Sequence, residues 1–101
     1  MHIVMVTYPT PDDPEAFKDY YVKTHVPLAS ALPGLRSFSY GFPQSMGAAN
    51  VPFCVWRAVF DDEAAMMLAL KSAQGKKVGA DVANYSPKGA TMMHFPVVQG
   101  P

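Results

Sequence analysis

Hydrophobic positions in this chain fall into three dense short runs and one alternating run, with stretches of helical spacing between them. HIVMVTY (residues 2–8) is β-branched and apolar and is closed by Pro9 and Pro11, which predicts a first strand. In the following PDDP, Asp13 is suited to cap a helix, with Pro14 at its first position and Glu15 in its first turn. This helix is expected to run to about Thr24. Pro27 disfavours helical geometry at Val26 and lacks a backbone donor, so a kink or break is expected near His25. A short helical turn, LASAL, then precedes Pro33-Gly34. Residues 35–42 set Arg36, Phe38, Tyr40 and Phe42 against Ser37, Ser39 and Gly41, the alternation of a second strand. PQSMGAAN (43–50) is a long connection. PFCVWRAVF (52–60) predicts a third strand, apolar on both faces apart from Arg57. DDEAAMMLALKSAQG (61–75) predicts a helix with an acidic start, Lys71 near its end and Gly75 as its stop. A shorter helix over about 76–85 has Val78, Val82 and Tyr85 on one side. ATMMHFPVV (90–98) predicts a fourth strand, whose Pro96 places its end at an edge or bulge.

The order β-α-β-β-α-β predicts an α+β, ferredoxin-like antiparallel sheet with its helices on one face, in a single domain spanning residues 1–101. Strands one and three, and the Met92-Met93 pair of strand four, carry apolar residues on both faces. A solvated sheet face should instead read polar at alternate positions. Something must cover the second face, and in a chain this small a second copy is the simplest cover. The pattern therefore predicts a homodimer.

Charge narrows the partners. Eight Lys and Arg balance eight Asp and Glu, with no basic block longer than Lys76-Lys77, so neither nucleic acid nor a membrane surface is an expected partner. The single cysteine, Cys54, sits in an apolar run and reads as a buried free thiol, which suits a reducing cytoplasm. MHIVMVTYP lacks a basic flank and reads as a strand rather than a signal peptide. No stretch reaches membrane-spanning length. His2, His25 and His94 are scattered and no Gly-rich phosphate loop is present, so no metal or tightly bound cofactor is expected. His94 as an axial haem ligand is the weaker alternative to an ordinary strand-edge histidine.

His25 is the leading candidate for chemistry. At about 100° per residue from Phe17, the residues Tyr20, Tyr21, Thr24 and Leu28 form an apolar arc, with His25 about 80° round at its margin. A neutral imidazole there offers a donor and an acceptor near neutrality. The alternative is a structural histidine that satisfies backbone groups freed at the kink. Tyr21, one turn earlier, is positioned to donate to a ligand, whereas Tyr20 reads as a core aromatic. Tyr8 and Tyr40 are able to place phenols in a pocket. Arg36 reads as a carboxylate partner or rim residue ahead of an anion contact, and Trp56 as a core or interface anchor ahead of a cofactor platform. The small residues Ser37, Ser39 and Gly41 leave room for a helix to pack or for a ligand.

DPEAFKDYYVKTHVPLASALPGLRSF (13–38), FCVWRAVFDD (53–62) and DVANYSP (81–87) together resemble the EthD-type branch of the dimeric α+β barrel superfamily. The first block, with its aromatic pair, His-x-Pro-Leu and Leu-Pro-Gly-Leu-Arg, carries most of the likeness. The resemblance implies a barrel of two facing sheets and a cleft in each subunit between sheet and helices. It places the family's characteristic histidine at His25. It also implies kinship with proteins associated with ether degradation and described as oxidoreductase-related, and with cofactor-free monooxygenases, lactone isomerases and polyketide cyclases. The expectation is thus a cofactor-independent enzyme on an apolar, oxygen-bearing small molecule, with His25 as general acid or base and Tyr21 beside it. Tyr8, Tyr40, Arg36 and Trp56 would contact substrate. The alternative is a non-catalytic ligand-binding or accessory protein of a catabolic or biosynthetic pathway.

Overall fold

The computed structural model describes residues 1–47 and 50–100. Four strands, β1 (His2–Tyr8), β2 (Ser37–Gly41), β3 (Cys54–Phe60) and β4 (Thr91–Pro96), form one antiparallel sheet in the order β2-β3-β1-β4. Between them run α1 (Pro14–Tyr20), a five-residue π turn (Tyr21–His25), α2 (Val26–Ser30), α3 (Glu63–Lys71) and α4 (Ala73–Tyr85). This is the ferredoxin-like α+β fold. The predicted 43–50 connection lies between β2 and β3, with its residues 48–49 outside those described. Among the described residues no helix is long and apolar enough to cross a membrane.

Registers sort the side chains by face. Val4, Val6, Tyr8, Cys54, Trp56, Ala58 and Phe60 stand on the helix side and join Phe17, Tyr21, Ala29, Met66 and Tyr85 in the core. Each large apolar side chain fully buried there is worth about 1.5–3 kcal/mol. On the other face, Met5 pairs with Arg57 and Met93, and Ile3 with Val59 and Phe95. On this face Ile3 is buried among its neighbours, whereas Met93 and Phe95 remain 43% and 40% exposed. Ser37, Ser39 and Gly41 share this open face through Val59, Arg57 and Val55. They therefore do not make the helix contact that their small size suggested; Phe38 and Tyr40 point to the helix side instead.

Two helix boundaries differ from expectation. The second helical region breaks at Ser72, not Gly75. Ser72 takes an extended ψ of 166° that ends α3, and its hydroxyl accepts from the Gly75 N–H at 3.0 Å to cap α4. Gly75 is a site of close approach. A Cβ there would lie 2.3 Å from the Ala69 carbonyl oxygen and 2.4 Å from that of Leu70.

In the first helical region the kink or break expected near His25 takes the form of a π turn, and the helix continues through it. Helical dihedrals persist from Tyr20 through Val26, and the Val26 N–H reaches back five residues to the Tyr21 carbonyl. In an α-helix the Pro27 ring would press on the Lys23 carbonyl; one wide turn relieves this without ending the helix.

Candidate functional site

The wide turn determines where His25 points. In a regular α-helix, residues four apart drift by about 40°, which places His25 at the margin of the Phe17 stripe. One π turn removes that drift, so Phe17, Tyr21, His25 and Ala29 form a buried line. His25 is accordingly only 3% exposed rather than marginal, and Thr24, expected in the apolar arc, faces solvent.

His25 meets α4 at Asp81. Its Nδ1 lies 2.9 Å from Asp81 Oδ2, both side chains being buried. The other carboxylate oxygen accepts from the Tyr20 hydroxyl at 2.6 Å and from Asn84 Nδ2 at 3.0 Å. Burial pushes the Asp81 carboxyl up, but the hydrogen bonds from Tyr20, Asn84 and His25 outweigh this and hold it below the ordinary carboxylate range. His25 is shifted down, because burial disfavours its cation more than Asp81 favours it. At neutral pH the pair is therefore imidazole and carboxylate. Asp81 fixes the Nδ1–H tautomer, leaving Nε2 as a free lone pair. Nε2 has no hydrogen-bond partner among the described residues.

His25 also borders a cavity of about 340 Å³ between the sheet and the helices α2 and α4. Its wall is mostly apolar, including Val4, Val6, Leu32, Val78, Val82 and Met92, with Tyr8 and Trp56 among its aromatics. The Tyr85 hydroxyl donates to that of Tyr8 at 2.8 Å, and the Tyr85 ring lies 4.6 Å from the His25 ring. Trp56 is 6% exposed and its Nε1–H is buried without a partner among the described residues. The site thus joins one unsatisfied base to an apolar hollow.

The remaining candidates lie elsewhere. Tyr21 stacks on His25 at 5.3 Å but is fully buried behind it, does not border the cavity, and leaves its hydroxyl unpaired among the described residues. Tyr40 packs edge-on against Tyr21 at 5.7 Å from the sheet edge and is 37% exposed. Arg36 makes a two-pronged ion pair with Asp61, both bonds 2.8 Å, on the surface away from the cavity. Cys54 is buried, which pushes its thiol up to about 11 and leaves little thiolate at neutrality.

Asp81 was not singled out from the sequence, and Tyr85 only as part of the apolar side of its helix, although a signal existed. Positions 78, 81, 82 and 85 share one helical face, so an aspartate on the apolar stripe of α4 marks a carboxylate turned inward. The histidines are also less scattered than their spacing suggested. The fold brings His2 Nε2 within 2.8 Å of His94 Nδ1.

Comparison with known proteins places these features in context. The EthD domain model matches residues 9–89. An uncharacterized 11.0 kDa protein from the thcB–thcC intergenic region of Rhodococcus erythropolis is 34% identical over 95 residues, covering 92% of this chain and 91% of that one. The crystal structure of an EthD family protein from Bacillus halodurans superposes with a TM-score of 0.90 at 26% identity, covering 97% of this chain and 99% of that one. Two more distant structures share the fold. One is a dimeric ferredoxin-like protein of unknown function from Thermobifida fusca, with a TM-score of 0.72, 15% identity, and 95% and 90% coverage of the two chains. The other is SnoaB, a cofactor-independent oxygenase from Streptomyces nogalater, with a TM-score of 0.66, 17% identity, and 98% and 95% coverage.

Proposed function

Because this chain belongs to the EthD domain family, we propose that it binds an apolar, oxygen-bearing small molecule beside His25 and moves a proton there without a cofactor. His25 Nε2 takes the proton, and the resulting imidazolium is stabilised by the Asp81 carboxylate across Nδ1. Tyr8, held by Tyr85, is the phenol placed to orient a substrate oxygen, and Trp56 forms part of the wall. The observation that carries this reading is the buried His25–Asp81 pair, in which His25 borders an apolar cavity and its Nε2 has no partner among the described residues. The kinship with a cofactor-independent oxygenase fold is compatible with it. Proton abstraction serves oxidation, isomerisation and cyclisation alike, so the proposal commits to the base and leaves the overall reaction open.

The pH dependence tests it. Only neutral His25 accepts a proton, and its pKa lies below the ordinary 6.5. Proton abstraction from a small apolar reporter such as 5-nitrobenzisoxazole is expected to be level near pH 7. It should fall, with unit slope, as pH drops through the depressed pKa. Stability should decline in the same direction, since the unfolded chain takes up this proton first as pH falls below about 6.5. Thermal unfolding at each pH separates the two effects. A flat rate profile through this window in folded protein would sink the proposal.

We further infer that a second copy covers the open sheet face. Met5, Met93, Val59 and Phe95 form an apolar patch on that face beside Arg57, Ser37 and Ser39, and the Thermobifida fusca neighbour is described as dimeric. Met93→Glu places a charge on this face without touching the helix-side core. The wild-type chain is expected to sediment as a dimer at micromolar concentration and the variant as a monomer. A monomeric wild type would refute the inference.

A non-catalytic carrier is the second reading, favoured by the predominance of apolar groups in the cavity wall. It predicts ligand affinity that does not change as His25 titrates.

A further inference from the structure

We propose that His2, Glu63 and His94 form a binding site for one divalent first-row transition-metal ion. The site is separate from the His25 cavity, since none of the three residues borders that hollow. It is built from three elements. His2 opens β1, His94 lies in β4, and Glu63 is the first residue of α3. The β1–β4 register pairs Val4 with His94 and His2 with Pro96, which sets the two imidazoles diagonally on the helix-bearing face. One potential ligand atom from each of His2, Glu63 and His94 lies within 4.8 Å of the others.

The chemistry of the donor set follows from the distances. Two imidazole nitrogens 2.8 Å apart share one proton, one ring donating and the other accepting. A metal ion replaces that proton and is ligated by both nitrogens at once, while Glu63 supplies a carboxylate oxygen. With metal–nitrogen bonds of about 2.1 Å, ligands at a right angle are about 3.0 Å apart, and ligands at the tetrahedral angle about 3.4 Å apart. Either is a small adjustment from the 2.8 Å hydrogen bond. The site therefore suits a divalent ion that takes two imidazoles and a carboxylate, such as nickel(II), copper(II), iron(II) or zinc(II), with the positions beyond the three protein ligands left to water or another small ligand. His2 is 5% exposed, so one ligand is held rigidly, while His94 and Glu63 are exposed and free to adjust. A bare hydrogen bond fastening β1 to β4 would account for the histidine pair but not for the carboxylate beside it.

Isothermal titration of the untagged, chelator-stripped chain with nickel(II) tests the assignment. One ion per chain is expected, together with a rise in melting temperature, because the ion joins three elements of the folded state and has no such site in the unfolded chain. His94→Gln and Glu63→Gln change exposed side chains and should leave the fold intact by circular dichroism. Each should weaken nickel binding by at least the roughly 10–100-fold that loss of an outer-shell partner costs a metal site. His25→Gln should bind nickel as the wild type does. Failure of the wild type to bind, or equal affinity in the His94 and Glu63 variants, would overturn the assignment.

Discussion

His25→Gln is expected to slow proton abstraction in the cavity by about 10²–10⁴-fold, the usual contribution of a positioned general base. Glutamine retains an N–H that can reach Asp81 and occupies similar space, so the buried carboxylate keeps a donor and the fold should persist. What it loses is the basic Nε2 of a residue that borders the hollow. Asp81→Asn is the companion measurement. It leaves the imidazole in place but removes the negative acceptor that fixes the Nδ1–H tautomer and raises the His25 pKa against the larger effect of burial. The acid limb of the rate profile should therefore move to lower pH while the plateau falls. A purely structural Asp81 would cost stability without moving the limb. If His25→Gln retains the wild-type rate, with a native circular dichroism spectrum, His25 is not the base.

A large loss of stability is expected from a single added methyl group at Gly75. Gly75→Ala adds a Cβ 2.3 Å and 2.4 Å from two carbonyl oxygens of α3. Both contacts are backbone, so no side chain can rotate away, and α3 and α4 must separate at the Ser72 junction. Overpacking of this kind costs typically about 1–3 kcal/mol, and a rigid backbone contact belongs at the upper end. Urea unfolding should show the midpoint falling with little change in slope. Because Gly75 also borders the cavity, the substitution should alter ligand access as well. An unchanged midpoint would mean that the helices are not held at this distance.

Much of the architecture was legible along the chain. The dense β-branched runs, the Asp13 cap and the acidic start after Phe60 each depend on neighbours within a few residues, and they placed four strands and two helical regions close to where they lie. The same reading found apolar groups on both sheet faces, which is the physical basis for proposing a second copy. Errors arose where one local rule hid another. Pro27 reads as a kink or break near His25; the irregularity lies there, but as a π turn that continues the helix and carries His25 from the margin into the interior. Gly75 reads as a stop because glycine often ends helices. Here Ser72 ends the helix, and glycine is required by the crowding that follows.

The sequence by itself determined the order of elements, the two-sided apolar sheet and, through the family pattern, the prominence of His25. Those properties follow from periodicity, capping and turn chemistry, which act over a few residues. Only the tertiary structure decided what His25 faces. Its carboxylate partner is 56 residues away, the Tyr8–Tyr85 pair spans 77, and the His2–His94 pair spans 92. Such contacts are selected by strand register and helix docking, where the energies of the whole core compete, and no local pattern encodes them.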